Sequence, residues 1–243
     1  MLACCRRAPA ASGITVATDG ALSHGTLDWR ASLQRRNRPD TLPAMTLDPR
    51  LVALRHTLAR RSALALEREA GEREAAVALV VRPRGELELL LIERAVRPSD
   101  PWSGHMALPG GRRSAEDADL LATALRETEE ETGVPRNASL LIGSLDEVAP
   151  RSRRLPPLVI APYVVAVEPG TRAMADAREV AATLWIPLSA LRHEGAVSSI
   201  VIGAEEDGAV REFPTLVYRE HVIWGLTHRI LTQFLEVAAL AGV

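Results

Sequence analysis

Lysine is missing from this chain. All 29 basic residues are arginine, which we read as a base-composition bias of the encoding gene and not as a functional signal. Cysteine is nearly missing too. Cys4 and Cys5 are adjacent, and no other cysteine is available to pair with them. That excludes a disulfide framework and a zinc-ligand spacing, and it fits a reducing compartment, so a cytoplasmic location is expected. Net charge is close to zero, at −2. Neither nucleic acid nor an anionic membrane surface has an electrostatic claim on such a chain. No apolar run approaches the ~20 residues that span a bilayer. Aromatic residues make up only 3% of the chain.

What is present is enough for a sizeable core. A length of 243 residues suits one domain with extensions. Residues 1–45 are rich in Ala, Arg, Ser, Gly and Thr and show no sustained periodicity, so a disordered N-terminal extension is expected there. The first eighteen residues hold arginine and no acid, in the manner of an organelle transit peptide, but without its amphipathic spacing. A disordered tail or an upstream start site accounts for them better, since Met45 opens the organised part. The domain is expected over residues 46–243, with a helix near each end.

Asp48 and Pro49 make a helix start, and Leu51, Leu54, Leu58 and Ala59 recur at helical spacing. Ala75 to Val81 and Leu87 to Ile92 read as two strands of a hairpin around Pro83-Arg84-Gly85. Further strands are expected at Ser139–Leu145, Leu158–Val167, Ala182–Ile186, Ser199–Gly203 and Arg211–Tyr218, the last two around a turn at 206–208. A short helix is expected over Leu188–His193 and a closing amphipathic helix over His221–Leu240. Strands and helices interleave irregularly, which indicates α+β with a mixed sheet and not a doubly wound repeat.

The chemistry is concentrated in residues 108–134, LPGGRRSAEDADLLATALRETEEETGV. A proline and two glycines make a turn. A polar loop follows, then a helix expected from Asp117 to Thr132 and stopped by Gly133. Glu127, Glu130 and Glu131 fall on one face of that helix and Glu129 falls elsewhere, facing solvent. Like charges so close cost helix stability, and a divalent cation is the simplest way to offset their repulsion. A solvated acidic face is the common fate of a charge run, but the glycine turn placed just before this one argues against it.

Gly111 to Val134 resembles the signature of the Nudix hydrolases, G-x5-E-x7-R-E-U-x-E-E-x-G-U, through Arg126, Glu127, Glu130, Glu131, Gly133 and Val134. It departs from that signature at Thr128, where an aliphatic residue is usual. It departs again at Ala118, where a glutamate is usual, and Asp117 lies one residue earlier. The resemblance implies the Nudix fold, a mixed α/β/α sandwich. It also implies Mg2+ or Mn2+ held by Glu127, Glu130, Glu131 and the carbonyl of Gly111, with Gly110, Gly133, Arg126 and Asp117 structural. The general base would be one of the cluster, such as Glu130 or Glu127, or else Glu179. The implied reaction is hydrolysis of the pyrophosphate bond of a nucleoside diphosphate linked to another moiety. Its partner is that small molecule, and a homodimer is among the assemblies left open. Independently, hard cations take carboxylate oxygens and neutralise the charge around a phosphorus under attack.

The segment LLLIERAVRPSDPWSGHMALPGG resembles the stretch before the Nudix box in the coenzyme A pyrophosphatase branch, through Leu90, Leu91, Arg94, Ala95, Arg97, Gly104, Met106 and Leu108. The interval between Arg97 and Gly104, with Trp102, is longer than in that pattern. The branch implies coenzyme A or its derivatives as substrate, giving 3′,5′-ADP and 4′-phosphopantetheine. Alternatives are ADP-ribose, dinucleotides or nucleoside triphosphates, and a catalytically silent nucleotide-binding domain.

Arg94, Arg97 and His105 are candidates to touch phosphates, against ordinary surface or structural roles. Glu179 is a candidate acid against an exposed loop residue, and Asp146 and Glu147 are weaker candidates to face the metal. Arg151, Arg153 and Arg154 are candidates for a 3′-phosphate against a solvated loop. Tyr218 to Thr227 resembles the segment that opens the last helix of the same branch, and core packing explains it as well. His56, His193, His221 and His228 show no metal spacing.

Overall fold

The apolar run over residues 75–81 is buried on both faces, and this decides the architecture. In the computed structural model, which describes residues 47–68, 71–97, 103–150, 157–203 and 210–243, it lies within β1 (Arg73–Arg84). Ala76, Ala78 and Val80 belong to one buried cluster and Ala75, Leu79 and Val81 to another. A strand that reads as continuously apolar is one covered on both sides. One cover is α1 (Pro49–Arg60), whose Leu51, Leu54 and Leu58 are buried, together with the C-terminal helix. Asp48 starts α1 as expected, accepting a hydrogen bond from Arg50 N at 2.9 Å.

β1 turns at Gly85 into β2 (Glu86–Arg94). The two strands stay paired only from Arg84↔Glu86 to Val81↔Leu89 and then separate. The gap is filled by the next segment. β3 (Met106–Ala107) pairs with β2, and β4 (Gly110–Arg112) pairs with β1. The glycine turn is thereby wedged into the middle of the sheet.

α2 (Leu120–Thr132) follows and supplies the second cover, through Ala124 with Leu120, Leu121 and Leu125 beside it. It starts later than the sequence suggests. Asp119 is its N-cap, accepting from Ala122 N at 2.8 Å, and Asp117 lies in the preceding turn. Gly133, at φ 66°, ends it in the left-handed conformation.

β5 (Leu140–Ser144) runs antiparallel to β6 (Leu158–Ala166), and β6 runs parallel to β1. β7 (Val180–Pro187) pairs with the free edge of β2. One parallel pairing among antiparallel ones makes this a mixed sheet between helices, the expected α/β/α sandwich. After α3 (Leu188–Arg192), a second sheet is built from β8 (Val197–Gly203), β9 (Val210–Tyr218) and β10 (His221–Trp224). α4 (Gly225–Leu240) closes the fold and buries Ile230, Leu231, Phe234, Val237 and Ala238.

The expected helix over His221–Leu240 is therefore two elements. Residues 221–224 pair with β9 through a two-residue turn in which Arg219 takes φ 54°. Apolar Ile223, fully buried, serves a strand here as well as it would a helix, and the β9 partner decides between them. Residues 1–46, Trp102, the turn at 206–208 and Arg151, Arg153 and Arg154 lie outside the described residues. No helix among the described residues is long and apolar enough to cross a membrane.

Candidate active site

The site grows from the contact between the glycine turn and α2. Gly110 adopts φ 152°, and a Cβ there would meet the carbonyl oxygen of Ala76 at 2.3 Å. Gly111 is crowded from the other side, since a Cβ would lie 2.4 Å from the Glu127 carboxyl carbon. Only glycine lets the backbone of β4 lie this close to β1 and to a carboxylate at once. Gly110 N also donates to Glu131 Oε2 at 2.9 Å. So two of the three glutamates on the face, one turn apart, are turned onto the glycine backbone.

Their environment is costly for charge. Glu131 is only 4% exposed, and burial pushes its pKa up to about 7 despite the hydrogen bond from Gly110. The charges of Glu127 and Glu179 push it the same way, while Arg94 opposes them. Glu127 is raised as well, first by burial, and then by Glu130 and Glu179 against the favourable contact with Arg126. Burial penalises the ionised carboxyl and neighbouring carboxylates add to the penalty.

Arg126 is the hub beneath this cluster. Its Nε and Nη2 donate to the two oxygens of Asp117 at 2.9 and 3.0 Å. Its Nη1 lies 2.8 Å from Glu127 and 3.0 Å from Glu130, and Nη2 donates to Arg112 O at 3.2 Å. Asp117 also accepts from Ser114 N at 2.8 Å and Thr123 Oγ1 at 2.9 Å. The Arg126 guanidinium beside it holds its carboxyl well below the usual range. The acid one residue early in the loop thus reaches the arginine because the 114–119 turn folds it back toward α2.

Glu179 arrives from the far side. Met174 N donates to Thr132 O at 2.8 Å and Asp176 N to Glu131 O at 3.1 Å, so this loop hangs on the C-terminal carbonyls of α2. Ala95 N then donates to Glu179 O at 2.9 Å, which ties the loop to the exit of β2. Arg97 lies 3.7 Å from Glu179 and donates to Arg178 O, so it faces the loop acid directly.

Arg94 N donates to His105 O at 3.1 Å. The register Glu93↔Met106 places Arg94 opposite His105, on the α2 side of the sheet, since Met106 faces the other core. The His105 ring meets Trp224 edge-on, with centroids 5.0 Å apart. This partner was invisible in the sequence, where Trp224 read as the start of a helix.

Glu129 lies on the exposed side of α2, where it pairs with Arg136 at 2.6 Å. Two expectations are corrected. Asp146 and Glu147 do not face the carboxylate cluster. Asp146 binds Arg61 and Leu64 N, and Glu147 binds Arg68 and Leu66 N, so together they strap residues 61–68 onto the domain.

The donor set suits a hard divalent cation in kind. It offers carboxylate oxygens, a buried glutamate whose ionisation a cation would favour, and a glycine that leaves its carbonyl accessible. As placed, Arg126 takes up Glu127 and Glu130, and no three His, Cys, Asp or Glu side chains among the described residues converge closely enough to hold one ion.

Residues 71–201 match the NUDIX domain. The chain is 30% identical over 171 residues to an uncharacterized Nudix hydrolase NudL of Escherichia coli O1:K1 / APEC, a stretch covering 70% of this chain and 84% of that protein. It is 31% identical over 172 residues to its counterpart in Salmonella paratyphi B, covering 71% and 84%. It is 38% identical over 107 residues to the uncharacterized protein C14C4.10c of Schizosaccharomyces pombe, covering 42% of this chain and 32% of that protein, so it spans about a third of the yeast relative. Among solved structures, a MutT/nudix family protein from Enterococcus faecalis superposes with a TM-score of 0.44 at 18% identity, over 74% of this chain and 70% of that one. The chain belongs to the Nudix family of pyrophosphohydrolases.

Proposed function

We propose that this chain hydrolyses the pyrophosphate bond of coenzyme A or its derivatives, giving 3′,5′-ADP and 4′-phosphopantetheine. The observation that carries the reaction is the packing of Glu127 and Glu131 onto the glycine turn, with Glu130 and Glu179 at its rim. In this reading Glu127, Glu130, Glu131 and the Gly111 carbonyl hold Mg2+ or Mn2+. The ions, when bound, neutralise the diphosphate and lower the pKa of an attacking water.

The remaining work falls to the chain. Arg126 and Asp117 fix the loop against α2. Glu179, 55% exposed at the rim, takes the proton of the water in this reading, a role its exposure supports. Arg94, whose charge is felt at Glu131, and Arg97, facing Glu179, receive phosphate oxygens in this reading. A planar guanidinium suits that task better than an ammonium. The choice of coenzyme A rests on the resemblance of residues 90–108 to that branch.

The deciding experiment is a panel of coenzyme A, acetyl-coenzyme A, ADP-ribose, diadenosine polyphosphates and nucleoside triphosphates, with Mg2+ or Mn2+ and products identified by mass. The coenzyme A compounds are expected to give 3′,5′-ADP with the highest kcat/KM. Higher kcat/KM on ADP-ribose or a dinucleotide would overturn the substrate and keep the reaction. No turnover of any diphosphate would overturn both.

A further inference from the structure

Aromatic residues are rare here, at 3% of the chain, yet Trp224 meets both a second aromatic ring and His105, the residue that pairs with Arg94. Trp224, at the end of β10, lies 5.0 Å from the His105 ring and 5.9 Å from Phe213 on β9, centroid to centroid. The interplanar angles are 69° and 59°. Neither neighbour therefore lies parallel on the indole. All three side chains are only partly buried. The rings are therefore open on part of their surface, in contrast to Phe234, which is closed off in the core at 0% exposure.

The position of the cluster is as telling as its composition. His105 shares a strand pairing with Arg94, and the charge of Arg94 is felt at Glu131. From His105 the chain runs directly through Met106, Ala107, Leu108 and Pro109 to Gly110, which binds Glu131. Five residues span at most about 17 Å when extended, within reach of the sugar and two phosphates of a nucleotide. β9 and β10 of the second sheet carry two rings to this edge.

We propose that Trp224, braced by His105 and Phe213, is the stacking platform for the nucleobase of the substrate. This rests on the reading of the chain as a hydrolase of nucleoside diphosphate derivatives, and it assigns the end of the substrate that the arginines do not. Indole offers a large apolar face with a π-system that any purine matches. Base–aromatic stacking changes affinity by about 5- to 150-fold.

Calorimetric titration of the full-length protein with AMP and with ribose 5-phosphate, in Mg2+, tests it. The two probes share the phosphate and the sugar and differ in the base. The wild type is expected to bind AMP at least tenfold more tightly. Trp224→Leu is expected to bring that ratio within twofold of unity, and Trp224→Tyr to keep most of it. Because the readout is a ratio, a general loosening of the fold moves both probes and leaves it unchanged. Equal binding of the two probes by the wild type, a ratio unaltered in Trp224→Leu, or no AMP binding at millimolar concentration would each overturn the proposal. Turnover of the diphosphate panel is measured separately and judges the hydrolase reading by itself.

Discussion

Arg126 holds Asp117 by both carboxylate oxygens, at 2.9 and 3.0 Å, across the loop that joins the glycine turn to α2. The same guanidinium reaches Glu127 and Glu130. One cation thus links the fold of the loop to the electrostatics of the cluster. Asp117 is 8% exposed, so the pair is largely shielded from solvent and worth more than a surface ion pair.

Acid should reveal that pair. The folded pKa of Asp117 is lowered below the unfolded value, chiefly by its hydrogen bonds from Arg126. Its contribution is therefore fully present above the ordinary aspartate pKa of about 4 and is lost as pH falls toward the folded value. Urea unfolding of the wild type between pH 7 and pH 2.5 is expected to show stability falling below about pH 4. Asp117→Asn should be less stable by about 2 kcal/mol at pH 7, by loss of a charge-assisted hydrogen-bond pair. It should also lose part of the acid slope. Parallel curves for the two proteins would rule out the assignment.

The two glycines of the turn are expected to fail differently. Alanine at Gly110 brings a positive φ and a contact of 2.3 Å with a backbone oxygen, neither of which can relax. Gly110→Ala should cost more than about 3 kcal/mol, or prevent folding. Alanine at Gly111 meets only a carboxylate, which can swing away. Gly111→Ala should stay folded, cost about 1 kcal/mol, and lose turnover at least tenfold by displacing Glu127. Denaturant midpoints and kcat for both variants provide the comparison. A Gly110→Ala protein as stable as Gly111→Ala would contradict the packing described.

These features differ in how far the sequence could disclose them. The common face of Glu127, Glu130 and Glu131 follows from helix geometry within one short segment, so it was legible. The double burial of β1 was legible for the same reason, as an unbroken apolar run. Asp117 was visible as a displaced acid, but its bond to Arg126 depends on the path of a turn, which spacing does not encode. The strand at His221–Trp224 reads as helix in the sequence because its pairing with β9 is tertiary. The attachment of Glu147 to Arg68 and Leu66 joins segments far apart in the chain, and no local pattern separates that from a metal-facing acid. The meeting of His105 with Trp224 was hidden in the same way.

That distant strap makes its own prediction. Glu147 binds both Nη atoms of Arg68 at 2.7 Å and Leu66 N at 2.7 Å, so Glu147→Ala removes three bonds from residues 64–68 at once. The segment is partly exposed, which limits the cost to about 1–2 kcal/mol. Amide exchange at Leu66 should rise clearly, while kcat on the preferred diphosphate stays within about threefold, since the bonds of Glu147 go to Arg68 and Leu66. A collapse of kcat with the fold intact would return Glu147 to the metal site.

Metal addition tests the cluster most directly. Glu127 and Glu131 crowd onto one glycine turn with Glu130 more exposed beside them, and Glu131 is raised by burial toward neutrality. A cation that binds only the folded protein stabilises it by about 2.7 kcal/mol at a hundredfold excess over Kd. Mg2+ or Mn2+ is therefore expected to raise the Tm of the wild type by several degrees. The rise should be greatly reduced in Glu131→Gln and in Glu130→Gln. Both variants should remain folded, because the amide keeps the shape of the acid and removes a charge from a crowded site. Turnover in each should fall by about a hundredfold or more. Comparison of Tm with and without metal separates loss of an ion from loss of a base. Glu179→Gln, if Glu179 takes the proton, should lose turnover by a similar factor yet keep the metal-dependent rise in Tm. A Glu131→Gln protein that keeps both the thermal response and the turnover would remove that residue from the metal site.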